Sequence, residues 1–114
     1  MKHNSNELLE IVKNELEDLK AQDISVLNVT KMTAMADFMV VATGTSKQHV
    51  NSLATNLLAK MKAHGMKGGN QTDSIGEWAL VDLGDVIVHI MQEETRQFYS
   101  LEKIWSTFEE SKTG

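Results

Sequence analysis

The chain has 114 residues, 41% apolar and 24% charged, which suits one ordinary globular domain with a modest core. No window approaches the roughly 18 consecutive apolar residues of a membrane span, the opening MKHNSNELLEIV lacks a signal-peptide core, and zero cysteines exclude a disulfide framework, so a cytoplasmic protein is expected. Sixteen acidic residues against eleven basic ones give −5; with no basic cluster longer than Lys60–Lys62, this disfavours a direct grip on nucleic acid and suits a basic protein partner.

Asn4 followed by Glu7 reads as a helix start, and Leu8, Val12, Leu16 and Leu19 keep helical spacing to about Lys20. In DISVLNVT, Ile24, Val26 with Leu27, and Val29 suggest a strand, and KMTAMAD is a connector. FMVVAT, Phe38 to Thr43, is a continuous apolar run of the kind buried on both faces of a sheet. Gly44, Thr45 and Ser46 open a second helix, in which Val50, Leu53, Ala54, Leu57, Leu58 and Met61 follow a 3.6-residue period until Gly65 stops it. KGGNQTDSIG reads as a loop, with a short edge strand near Met66. EWALVDL and DVIVHIM form a hairpin around Gly84; after a QEETR turn, Phe98 and Tyr99 add a short strand. SLEKIWSTFEE closes the chain as a helix capped by Ser100, with Leu101, Ile104, Trp105 and Phe108 on one face. The order α-β-β-α-β-β-(β)-α over a single domain, residues 1–114, predicts an α/β fold with a mixed β-sheet flanked by helices.

The chemistry on offer is sparse. ATGTSKQH places a glycine and hydroxyls at a strand-to-helix turn, which can hold an anion. It lacks the GK[ST] ending of a phosphate loop, and helix capping by Thr45 or Ser46 explains it more simply. His3, His49, His64 and His89 show no zinc-type spacing, so no metal is expected. His89 reads as a strand histidine bonded to a neighbour. Asp82 and Asp85 read as formers of the hairpin turn. Metal-assisted nucleotidyl transfer needs paired carboxylates soon after a Gly-Ser turn, yet after Ser46 no acid occurs until Asp73. On the hairpin, Trp78, Leu80 and Asp82 alternate with Ala79, Val81 and Leu83, while Ile87, His89 and Met91 alternate with Val86, Val88 and Ile90. Both faces are largely apolar. If the helices cover one of them well, a face carrying Trp78, with Met91, Phe98, Tyr99 and Trp105 near it, is left for a partner.

These motifs together resemble a known family. DFMVVATGTSKQHV and EWALVDLGDVIVHIMQEETRQFYSLEKIW are similar to the ribosomal silencing factor, or Iojap-like, family, over about Asn6 to Ser106. The second stretch carries W-x3-D-x-G-D-x3-H, R-x2-Y and L-E-x2-W in order, at Trp78, Asp82, Gly84, Asp85, His89, Arg96, Tyr99, Leu101, Glu102 and Trp105. The resemblance implies a nucleotidyltransferase-like α/β fold without enzymatic activity. It also implies a translational repressor that binds the large ribosomal subunit through its ribosomal protein fourteen and sterically blocks the small subunit when nutrients are short. A large-subunit assembly factor is the alternative. No cofactor and no direct nucleic-acid contact are needed, and the free protein is expected to be a homodimer. Carried over to this chain, the partner-binding residues are Trp78, Asp82, His89, Met91, Arg96, Tyr99 and Leu101, with Glu93 and Glu94 available to basic side chains. Gln48 stands where the family has arginine in its S-x-R-H stretch, and the loop from Lys67 to Ser74 matches only loosely; neither is assigned a contact.

Overall fold

A computed structural model describes residues 5–31, 36–66, 69–72 and 78–99. The elements are α1 (Ser5–Asp18), β1 (Gln22–Asn28), β2 (Phe38–Thr43), α2 (Lys47–Ala63), β3 (Asn70–Thr72), β4 (Trp78–Asp82), β5 (Val86–Met91) and α3 (Glu93–Tyr99). Among the described residues the strands form one sheet in the order β1-β2-β5-β4-β3. The β2–β5 pairing is parallel and the others are antiparallel, so the expected mixed sheet flanked by helices is present.

The helices end where local chemistry dictates. At the C-terminus of α1, Lys20 N–H donates to Glu17 O at 3.1 Å and Ala21 N–H to Leu16 O at 3.0 Å, with Lys20 at φ 68°. That pair of bonds is the Schellman arrangement, which satisfies carbonyls left free by the last turn. Ser46 caps α2, its hydroxyl accepting from His49 N–H at 3.1 Å, and Gly65 follows the last turn as expected. Gly44 cannot be replaced cheaply, because a Cβ there would stand 2.8 Å from Val50 Cγ2 and 3.0 Å from its backbone nitrogen. This close approach lets the chain reverse directly from β2 into α2.

α1 and α2 pack on the same face of the sheet. Leu8, Val12 and Leu16 of α1 and Val50, Leu53, Leu57 and Met61 of α2 meet Val40, Ala42, Val81, Val86, Val88 and Ile90 in one buried core. The helical spacing and the strand alternation predicted from sequence converge there. No helix among the described residues is long and apolar enough to cross a membrane.

Three expectations need correction. Phe98 and Tyr99 do not add a strand: they are the last two residues of α3, which starts at Glu93 within the stretch read as a turn. Glu93 and Glu94 complement the positive end of the helix, and Gln97 Nε2–H donates to Glu93 one turn back at 3.0 Å. The edge strand lies at Asn70–Thr72, not near Met66, inside the segment read as loop; it is three polar residues long and is held by its pairing with β4. β1 ends at Asn28, so Val29, read as part of the strand, lies just beyond it: the Asn28 side chain accepts from Thr30 N–H at 3.1 Å and from its hydroxyl at 2.6 Å, which turns the chain. The helix expected over SLEKIWSTFEE lies outside the described residues.

Candidate docking face

The site is built outward from the β4–β5 hairpin. Its loop is Gly84–Asp85, closed by Leu83 N–H donating to Val86 O at 2.9 Å. Gly84 sits at φ 85° in the first central position, the type II′ pattern that matches strand twist. Asp82 Oδ1 accepts from Gly84 N–H at 2.9 Å, so this carboxylate braces the turn. A two-residue loop sets the register: Trp78 opposite Met91, Leu80 opposite His89, Asp82 opposite Ile87.

Parallel pairing with β2 extends these rows across the sheet. Thr43 lies beside Met91, Val41 beside His89 and Met39 beside Ile87, and β1 then places Ser25 beside Val41 and Leu27 beside Met39. All of these point away from the α1–α2 layer, since the alternate residues occupy the main core. Val41 and Met91 are fully buried in a second, smaller cluster with Val29, Ala36 and Met39. Trp78, Leu80, Asp82 and Ile87 are half-buried. The face opposite the helical layer is therefore neither sealed nor bare; it presents an indole and two aliphatic side chains over a solid floor.

His89 belongs to that floor, only 8% exposed. Its Nδ1 accepts a hydrogen bond from Trp78 Nε1–H at 3.0 Å, and the two rings lie 5.7 Å apart at 53°. An indole nitrogen can only donate, so His89 Nδ1 carries a lone pair and its proton is on Nε2. Burial disfavours the charged ring and lowers its pKa from 6.5 to about 4. The imidazole is thus a neutral acceptor at physiological pH, as expected for a strand histidine bonded to a neighbour.

Arg96, half-buried on α3, turns inward. One guanidinium nitrogen donates to Asp23 O at 2.6 Å and Thr43 Oγ1 at 2.7 Å, the other to Ser25 Oγ at 3.0 Å. Asp23 has φ 48° at an irregularity in the β1–β2 pairing, so Arg96 ties α3 to a kinked stretch of the edge strand. Glu93 and Glu94 are exposed in the first turn of α3, which follows β5 after Gln92 and so starts beside the Trp78–Met91 row. The side chain of Tyr99, and the whole of Leu101 and Trp105, lie outside the described residues.

Of the residues named from sequence, the fold brings Trp78, Asp82, His89 and Met91 onto one face, with Met91 buried beneath it and Arg96 bonded within the domain. Leu80 and Ile87 belong to the same surface but were not among the expected contacts. Strand parity alone, two residues from Trp78 and from His89, is the signal that finds them. His49 has a local role: Nδ1 accepts from Thr45 N–H at 2.9 Å and Nε2 lies 3.3 Å from Leu19 O, linking the end of α1 to the start of α2. Among the described residues no three His, Asp or Glu side chains converge as metal ligands.

Residues 2–113 match a protein family described as "Ribosomal silencing factor during starvation". The chain belongs to the ribosomal silencing factor family. It is 39% identical over 100 residues to the ribosomal silencing factor RsfS of Chromobacterium violaceum, covering 87% of this chain and 82% of that protein. It is also 30% identical over 107 residues to a mouse protein named "Mitochondrial assembly of ribosomal large subunit protein 1", covering 86% of this chain and 45% of the mouse protein. An X-ray structure of a Chromobacterium violaceum protein superimposes with a TM-score of 0.84 at 37% identity, covering 91% of this chain and 88% of the other. The likeness to other silencing factors thus spans the core under α1 and α2 as well as the Trp78 face.

Proposed function

We propose that this protein binds the large ribosomal subunit through its ribosomal protein fourteen, using the Trp78 face, and by its bulk keeps the small subunit from joining. It would act in the cytoplasm and lower protein synthesis when nutrients are short. The match along residues 2–113 to a family described by ribosomal silencing in starvation carries this reading. The chemistry of the domain supports it. Ribosomal proteins are basic, and a net charge of −5 favours their approach. A half-buried tryptophan amid aliphatic side chains is the composition of an interface core. A stable complex buries about 800 Å² on each partner, a large part of so small a domain. Blocking requires affinity and volume, so no step of this mechanism needs turnover.

The test is light scattering of subunit joining with and without saturating protein. Joining should fall in proportion to occupancy, and unchanged joining defeats the reading. Trp78→Ala should abolish co-sedimentation with purified large subunits while leaving the circular dichroism of the fold unaltered.

A second reading is assembly of the large subunit, favoured by the name of the mouse relative. It predicts binding to immature particles in preference to mature subunits, which the same co-sedimentation distinguishes. A homodimer of the free protein is expected from the family resemblance, and sedimentation equilibrium at several concentrations checks it.

A further inference from the structure

Trp78 and His89 are diagonal neighbours: the register partner of Trp78 is Met91, two residues beyond His89 on the same face. Aromatic side chains reach across such diagonals. The rings are tilted at 53° and joined by the 3.0 Å bond from Nε1–H to Nδ1. The burial of the two residues differs in a telling way. Trp78 is half-buried, whereas His89 is 8% exposed and offers a partner almost no surface.

A half-exposed indole on a strand has several staggered orientations open to it. Freezing one of them on binding weakens affinity, and a side chain already held in the bound orientation avoids that loss. We propose that His89 is a positioning residue for docking: it does not touch the partner but, by accepting the indole N–H, favours one orientation of the Trp78 ring on the free protein. This rests on the docking reading above and gives one of its residues a different role. The neutral ring keeps its Nδ1 acceptor throughout the physiological range, so the brace is permanent and not a pH switch. Because Trp78 is half-buried rather than sealed in the core, loss of the brace acts on orientation more than on folding.

The test uses the full chain, purified large subunits, and three variants. His89→Leu removes the acceptor at similar volume. His89→Asn retains one, since Oδ1 of asparagine stands the same number of bonds from Cα as Nδ1 of histidine. Trp78→Ala reports the docking reading itself. Affinity is measured by co-sedimentation titration. The Trp78 indole 1H–15N signal, assigned in a Trp105→Phe background, reports its hydrogen bond. Wild-type protein should show a bonded, slowly exchanging indole proton. His89→Leu should move that signal to a solvent-exposed position and weaken subunit binding about threefold to tenfold, the range of one hydrogen bond. His89→Asn should keep both the signal and the affinity. If His89→Leu folds and binds like wild type while Trp78→Ala loses binding, the positioning role is wrong and the docking face stands. If Trp78→Ala binds normally, the docking face fails and the positioning role goes with it. Should His89→Leu not fold, His89→Asn decides: a bonded indole with wild-type affinity supports the role, and a bonded indole with lost affinity overturns it.

Discussion

On the face beneath α1 and α2, Val81, Val86, Val88 and Ile90 are completely buried against Val12, Leu16, Leu53 and Leu57. One residue along the same strands, on the opposite face, Trp78, Leu80, Asp82 and Ile87 remain half-buried. The two buried polar side chains among the described residues, Thr43 and His89, are both on this second face, and each accepts a hydrogen bond, from Arg96 and Trp78 respectively. The first face is a solvent-free apolar layer whose product is stability. The second uses polar bonds to hold particular side chains in place at a surface. A residue type therefore says little about its task until the covering layer is known.

Damage confined to the first face should separate the two most clearly. Leu57→Ala, on α2, should cost about 2–5 kcal/mol through lost burial and the cavity left behind. A urea midpoint falling at unchanged slope would show it, while the remaining folded molecules should bind subunits with wild-type affinity. A reduced intrinsic affinity would mean that the two faces are not separable.

Acid probes the second face selectively. Burial lowers the folded pKa of His89 from 6.5 to about 4, so between those values the unfolded chain holds the extra proton. Stability is then full above about pH 6.5 and lost as pH falls towards 4, by up to about 3 kcal/mol for a shift of this size. Urea titrations at several pH values should show that slope, and His89→Leu should flatten it. A slope that survives the substitution would place the acid sensitivity elsewhere.

The smallest effect on stability is expected at the open surface. Leu80→Ser should change unfolding free energy by no more than about 1 kcal/mol, because its side chain is already half in water. It should nevertheless weaken co-sedimentation with the large subunit. A stability loss as large as that of Leu57→Ala would show Leu80 to be core.

The periodic elements were legible in the chain. Leu8, Val12 and Leu16, then Val50, Leu53, Leu57 and Met61, spell helices whose stripes are buried where expected. The hairpin around Gly84 and the alternation that groups Trp78 with Leu80, and His89 with Met91, were equally plain. What failed was aperiodic or short. Asn70–Thr72 carries no apolar alternation and is a strand only because β4 offers it an edge. Phe98 and Tyr99 favour strands by residue type, yet the acidic turn before them starts a helix that Arg96 bonds to β1 and β2. Arg96 itself read as a surface contact, and its inward bonds reach residues 53 to 73 positions away, beyond any local signal.

The kinds of elements, the partition of each strand into two faces and the family to which the chain belongs are all written in spacing and residue identity. Which face the two long helices cover, the burial of Met91 and His89 beneath the other, and the bond from the Trp78 indole to His89 come from packing between distant segments. Alternation along a strand is local and survives in a one-dimensional text. Burial is set by contacts between residues far apart in the chain, and those exist only once β2 has paired with β5 and both helices have settled on the same side.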